Sequence, residues 1–170
     1  MFLESWGASP EEIASPVVGD HLCDSARVSA KRCITIAATP ADVFPWIRQM
    51  GFGRAGWYSF DWIDNLGRKS ARQIHPEWQD IANGSLVPAG PISFVASVVE
   101  EPHAFVLTIS DKGLGKRMCF TLAYELRPDD VGTRLVTRMR ARIDLPGGRL
   151  LEKYLLTPGD GIMLRKQLLT

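Results

Sequence analysis

Residues Arg117–Leu145 read RMCFTLAYELRPDDVGTRLVTRMRARIDL. Met118, Phe120, Leu122, Tyr124 and Leu126 recur at every second position, and so do Leu135, Thr137, Met139, Ala141 and Ile143. That period puts each set on one face of a strand. Between them Pro128-Asp129-Asp130-Val131-Gly132 turns the chain back. Two strands joined by a short turn form an antiparallel hairpin, and its apolar face needs a cover. Arg134, Arg138, Arg140 and Arg142 take the other face. They are read as its solvated side, with Glu125 as a pairing partner; an anion-binding or partner surface is the alternative.

Outward from this hairpin, further strands fall at Arg32–Ala37, Ser85–Val87, Ile92–Val99 and Ala104–Ile109. Asn83-Gly84, Glu101-Pro102-His103 and Lys112-Gly113-Leu114-Gly115 supply turns between strands. Ser9-Pro10-Glu11-Glu12 has the residues of a capped helix start, and Pro16 ends that helix early. Thr39-Pro40-Ala41-Asp42 opens a second helix, with Val43, Ile47 and Met50 on one face. Pro45 falls inside it and predicts a kink or a loosened turn. From Arg149 onward Leu151, Tyr154, Leu155, Ile162, Met163 and Leu168 have helical spacing, interrupted at Pro158-Gly159. The expected fold is α+β: an antiparallel sheet of about six strands, its apolar face covered by a helix from about residue 149. Residues 1–170 read as one domain, with 1–26 as an N-terminal arm.

Composition narrows the function classes. The chain has 170 residues, 45% apolar and 23% charged, with a net charge of +1. No global basic field argues for nucleic acid. No segment approaches the ~18 apolar residues of a membrane span, so stable membrane insertion is not expected and the reading is cytoplasmic. Cys23, Cys33 and Cys119 are odd in number without CxxC spacing and read as free thiols. His21, His75 and His103 are scattered, and no metal or cofactor is expected.

Trp6-Gly7-Ala8, Glu11-Glu12 and Gly19-Asp20 together with Ile34–Ile36 and Pro40–Ile47 carry a resemblance, which is strongest over Gln49-Met50-Gly51, Arg54–Ser59, Asp61-Trp62 and His75–Gln79. As a block, spanning about residues 5–170, they resemble the START-related superfamily of polyketide cyclases/dehydratases and lipid-transport proteins, also called SRPBCC. They are most similar to a bacterial branch mostly without assigned function. The resemblance implies a helix-grip fold, a curved antiparallel sheet around a long C-terminal helix with an apolar cavity between. It implies a lipid, polyketide or similar small apolar molecule as ligand, and no particular reaction.

Gln49–Asn65, QMGFGRAGWYSFDWIDN, concentrates five of the chain's fifteen aromatics among three glycines. Gly51, Gly53 and Gly56 argue against continuous helix. The chain is expected to loop over the sheet's open end and re-enter helix near Ser59, with Ser59 as cap, Asp61 at the positive end and Gly67 as closure. Trp62 and Leu66 would share a face of that helix. Gly51–Gly56 fits GxGxxG literally but follows a helix instead of a strand, so a dinucleotide site fails on context.

The rings are core plugs or pocket lining, and both readings stay open. Under the pocket reading, Trp57, Tyr58, Trp62, Trp78, Phe94, Tyr124, Met139 and Met163 bind ligand. Tyr58, Asp61 and His75 are candidates for proton transfer. Against these stand plainer roles: a helix-end charge for Asp61, a loop histidine for His75, a loop anchor for Arg54 and core packing for Trp78. A binder or carrier of a small apolar molecule is the favoured function. The alternative is a cyclase- or dehydratase-like acid/base enzyme in the same cavity.

Overall fold

The computed structural model describes residues 5–90, 92–109, 117–152 and 157–169. Six strands form one curved sheet: β1 (Val28–Ile36), β2 (Leu86–Ala89), β3 (Ile92–Glu100), β4 (Ala104–Ile109), β5 (Met118–Asp129) and β6 (Gly132–Ile143). The order is β1-β6-β5-β4-β3-β2. Every neighbouring pair is antiparallel. The helices are α1 (Pro10–Ala14), α2 (Pro40–Arg48), α3 (Asp61–Asp64), α4 (Gly148–Leu151) and α5 (Thr157–Leu168). The fold is α+β, as the alternating strands require. The expected turn at Lys112–Gly115 lies outside the described residues.

The main core sits on the inner face of the sheet. Ala30 of β1, Leu122, Tyr124 and Leu126 of β5, and Leu135 and Met139 of β6 pack there against Val43, Phe44 and Ile47 of α2 and Leu164 of α5. Phe44 meets Phe105 of β4 edge to face at 6.4 Å between ring centres. Both expected helix starts carry full capping boxes, Ser9 with Glu12 and Thr39 with Asp42. In each, the hydroxyl and the third-position carboxylate satisfy amides that the helix leaves open. Pro45 lies within α2, which continues past it to Arg48.

The expected single helix from about residue 149 is described in two pieces, α4 and α5, and 153–156 lie outside the described residues. Pro158 does not interrupt α5, which runs on past it to Leu168.

The outer face departs from expectation. It is not a solvated arginine stripe but the seat of the N-terminal arm. Arg134 binds Glu12 at 2.7 Å, Arg138 binds Asp20 at 3.0 Å, and Arg142 donates to Ser25 Oγ. Lys31 of β1 is 4% exposed and donates to the carbonyls of Glu12 and Ser15 at the end of α1. Those carbonyls lack intrahelical partners, so a lysine from the sheet closes the helix. Gly7, at φ +73°, lies so close that a Cβ would meet the Cys33 carbonyl oxygen at 2.1 Å. Val17, Cys33, Val106, Ala123 and Val136 make a second, smaller core beneath the arm. Glu125 accepts from Arg127 at 2.7 Å and from the Val18 amide, leaving the β6 arginines to the arm.

Two further corrections follow from the arm. The strand expected from Arg32 begins at Val28, because the arm covers charges that look like a strand end in sequence. Cys23 and Cys119 are not free thiols: the arm brings them together as a disulfide across 96 positions. Cys33 alone is free, and burial pushes its thiol up to about 11.

Candidate functional site

A cavity of about 640 Å³ opens between α2, the inner face of the sheet, α5 and the loop after the glycine-rich segment. Val43, Trp46 and Ile47 of α2, with Met50 just beyond its end, form one wall, and Ile36, Tyr124 and Leu135 of the strands another. Gln167 and Leu168 of α5 and Tyr58, Ala71 and Arg72 of the loop complete it. Asp42 and Arg72 are exposed, so they mark the mouth; Tyr124, Met50 and Leu135 are buried and mark the floor. The Asp42 carboxylate is already engaged by Thr39 in the α2 cap.

Gln49 organises the polar side of this site. It is fully buried at the end of α2. Its amide nitrogen donates to the Tyr58 hydroxyl and to the Gln73 carbonyl, and its oxygen accepts from the His75 amide. One side chain thus ties α2 to both stretches of the loop. The Tyr58 oxygen accepts from Gln49, which leaves its own proton to donate. Burial raises the Tyr58 pKa, with the Gln49 bond acting against it. The hydroxyl therefore stays protonated near neutrality and serves as a donor. Trp46 meets the Tyr58 ring edge to face at 6.1 Å. On the floor, the Tyr124 hydroxyl donates to Gln167 Oε1 at 3.2 Å.

The glycine-rich segment places Tyr58. Gly51 and Gly56 exchange backbone hydrogen bonds of 3.0 and 3.1 Å, a miniature hairpin. Phe52 N–H reaches the Pro88 carbonyl of β2 at 2.7 Å, fixing the hairpin to the sheet edge. Gly56 is at φ +77°, and a Cβ there would stand 2.6 Å from Ser70 Oγ. That hydroxyl accepts from Tyr58 N–H and donates to Asp61 Oδ1. A side chain at Gly56 would thus displace the clasp beside Tyr58.

Of the residues expected to bind ligand, Tyr58 and Tyr124 meet at this cavity. The others are placed elsewhere. Trp57 packs edge to face on Phe94, which stacks on Phe120, so two expected site residues belong to a ring cluster on the sheet. Met139 is a fully buried core residue and Met163 is half-buried on α5. Trp78 lies against His75 at 4.3 Å, and its carbonyl accepts from Arg54, the loop anchor. Trp62 is 73% exposed.

Of the proton-transfer candidates only Tyr58 lines the cavity. Asp61 receives both the amide and the hydroxyl of Ser70, so its carboxylate holds the loop closed. His75 Nδ1 pairs with Glu77 at 3.2 Å, and His75 is not among the residues lining the cavity. Ser59 is not the helix cap: Phe60 holds that position, without a side-chain bond, and α3 is four residues long. Gly67 does close the turn, its amide bonding the Asp61 carbonyl at 2.8 Å.

Sequence reasoning gave no role to Gln49, Trp46 or Gln167. The available signal was a polar Gln49 beside the apolar stripe of α2; nothing local marks Gln167. Among the described residues no three His, Cys, Asp or Glu side chains group as metal ligands.

No family model and no curated protein matches the sequence. Solved structures similar to it include a Mesorhizobium loti protein, 14% identical with a TM-score of 0.48, covering 82% of this chain and 93% of that one. A polyketide-cyclase-like protein from Corynebacterium glutamicum is 15% identical with a TM-score of 0.40, covering 82% and 80%. An HSP90 activator from Plasmodium falciparum is 15% identical with a TM-score of 0.48, covering 83% and 94%.

Proposed function

We propose that the chain binds or carries a small apolar molecule in the cavity between α2, α5 and the sheet. The observation that carries this reading is the cavity itself: about 640 Å³, walled chiefly by apolar side chains, with the Tyr58 hydroxyl free to donate. That size and balance suit a lipid-like or polycyclic ligand carrying one acceptor group. The acid/base alternative would have to work from Tyr58 without Asp61 or His75. Both are engaged in loop contacts, so binding is favoured over turnover. Among the described residues no helix is long and apolar enough to cross a membrane. A cytoplasmic location goes with Cys23 and Cys119 as reduced thiols; the bridged pair suits an oxidising compartment.

Native mass spectrometry of the purified chain tests the reading, beside titration with the apolar dye Nile red. A copurifying apolar mass is expected, together with saturable dye binding. Ala71→Phe, which adds a ring at the cavity wall, should abolish dye binding while the chain stays folded. Dye affinity indifferent to Ala71→Phe, with no copurifying mass, would defeat the proposal.

A further inference from the structure

The same loop that lines the cavity carries an exposed apolar tip. Residues 58–72 leave the cavity wall and return to it. Tyr58 N–H bonds Ser70 Oγ, Ser70 bonds Asp61, and the Ala71 amide bonds the Ala55 carbonyl at 2.9 Å. A compact excursion with its ends together is an Ω-loop. Its base contributes Tyr58, Ala71 and Arg72 to the cavity. At its tip Trp62, Ile63 and Leu66 are 73, 48 and 77% exposed.

The tip is built to stay out. Asn65 beneath it is 2% exposed and donates to the Arg68 carbonyl at 2.9 Å. Leu66 takes φ +50°, a left-handed conformation that a branched residue adopts at a cost. Lys166 of α5 donates to the Ser59 carbonyl and lies 5.0 Å over the Phe60 ring, fixing the loop's entry. Arg68, Lys69 and Arg72, all exposed, follow the apolar residues directly. With Asp61 and Asp64 in the same loop, the cations outnumber the carboxylates three to two, and Asp61 is turned to Ser70.

We infer that this loop is a peripheral membrane-docking element, which seats Trp62, Ile63 and Leu66 among lipid acyl chains while Arg68, Lys69 and Arg72 face anionic headgroups. Tryptophan favours the membrane–water boundary, and basic side chains beside it draw on the negative surface potential. Apolar side chains with cations alongside are the chemistry of surface anchors that do not span. A protein partner fits less well, because a stable interface covers about 800 Å² per side and some 20–30 residues, far beyond three apolar side chains. Docked this way, the loop would hold the cavity wall at the bilayer surface, where an apolar ligand passes between lipid and protein. That use rests on the binding function proposed above; the docking does not.

Flotation of the full-length chain with vesicles tests the inference. One set is phosphatidylcholine alone, the other an equimolar mixture with phosphatidylglycerol. The chain should float with the mixed vesicles and much less with the neutral ones. Trp62→Ser combined with Leu66→Ser should lower mixed-vesicle binding about ten-fold or more. Arg68→Glu with Lys69→Glu should reduce it to the neutral-vesicle level. Both variants change exposed side chains, so their thermal melts should match the parent. A parent chain that stays with the protein fraction, or apolar variants that float equally well, would overturn docking. So would self-association or a protein complex that requires Trp62 without any vesicle binding. Nile red titration, run without lipid, separates the two ideas: dye binding that survives the loss of flotation leaves the cavity function standing, and flotation without dye binding leaves docking standing.

Discussion

Gln49 and Tyr58 show how much of the site depends on single side chains. Gln49→Leu keeps the volume and removes every bond linking α2 to Gln73, His75 and Tyr58. The expected cost is about 2–3 kcal/mol, since the buried partners lose their mates as well. Denaturant melts would show it as a lower midpoint with unchanged slope. Tyr58→Phe leaves a buried Gln49 N–H without its acceptor, so it should cost about 1–2 kcal/mol of stability with the chain still folded, and weaken Nile red or native-ligand binding by about 0.5–1.5 kcal/mol if the phenol donates to ligand. Equal affinity for parent and Tyr58→Phe would mean that the hydroxyl serves only Gln49. Tyr58 stood out in sequence as a candidate, Trp62 and Trp78 looked equally good, and of the three the structure sets only Tyr58 at the cavity. Composition registers aromatic area, not where a loop points it. Asp61 illustrates the same limit: a carboxylate near a helix start suggests charge or catalysis, and only the fold reveals Ser70 beneath it.

At the scale of elements, β5 and β6 were legible because large apolar side chains recur at every second position along their inner face. The outer face was not, because its arginines look solvated until something lies on them. The arm's carboxylates, Glu12 and Asp20, are distant in sequence from Arg134 and Arg138, and no local pattern links them. Lys31 makes the clearest test of this docking. Lys31→Met removes the donor to the Glu12 and Ser15 carbonyls, with an expected loss of about 1–3 kcal/mol and faster hydrogen exchange in α1. An unchanged melt and unchanged exchange would mean that the arm is held without it. The Glu12–Arg134 pair adds a pH signature. Hydrogen bonding to Arg134 holds the Glu12 carboxyl at about 2, below its ordinary 4.5, against the opposing effect of burial. A lowered folded-state value stabilises above the unfolded value and fades as pH falls through the folded one. Glu12→Gln should therefore be less stable than the parent at pH 7, and the gap should close between about pH 4.5 and 2. A gap independent of pH would assign the effect to packing alone.

The whole molecule is a sheet used on both faces, with the cavity on the inner one and the clamped arm on the outer one. α2, α5 and the Ω-loop surround the cavity, while the arm covers the second small core. This division makes the two faces separable. The disulfide from Cys23 to Cys119 belongs to the outer face and closes a loop of 96 positions. Closing a loop of that length removes unfolded-state entropy worth at most about 4–5 kcal/mol on the chain-entropy account, and measured values are often smaller. The arm has other attachments, Lys31 to α1 and Arg138 to Asp20 at 3.0 Å, that survive reduction. Cys23→Ser with Cys119→Ser should therefore lower the thermal midpoint without unfolding the sheet at room temperature. Near-ultraviolet circular dichroism of the aromatic residues should stay close to the parent's. Nile red affinity should not change, because neither Cys23 nor Cys119 lines the cavity. A double variant that remains folded by circular dichroism yet loses dye binding would show the two faces to be coupled. The independence of arm and cavity would then be wrong.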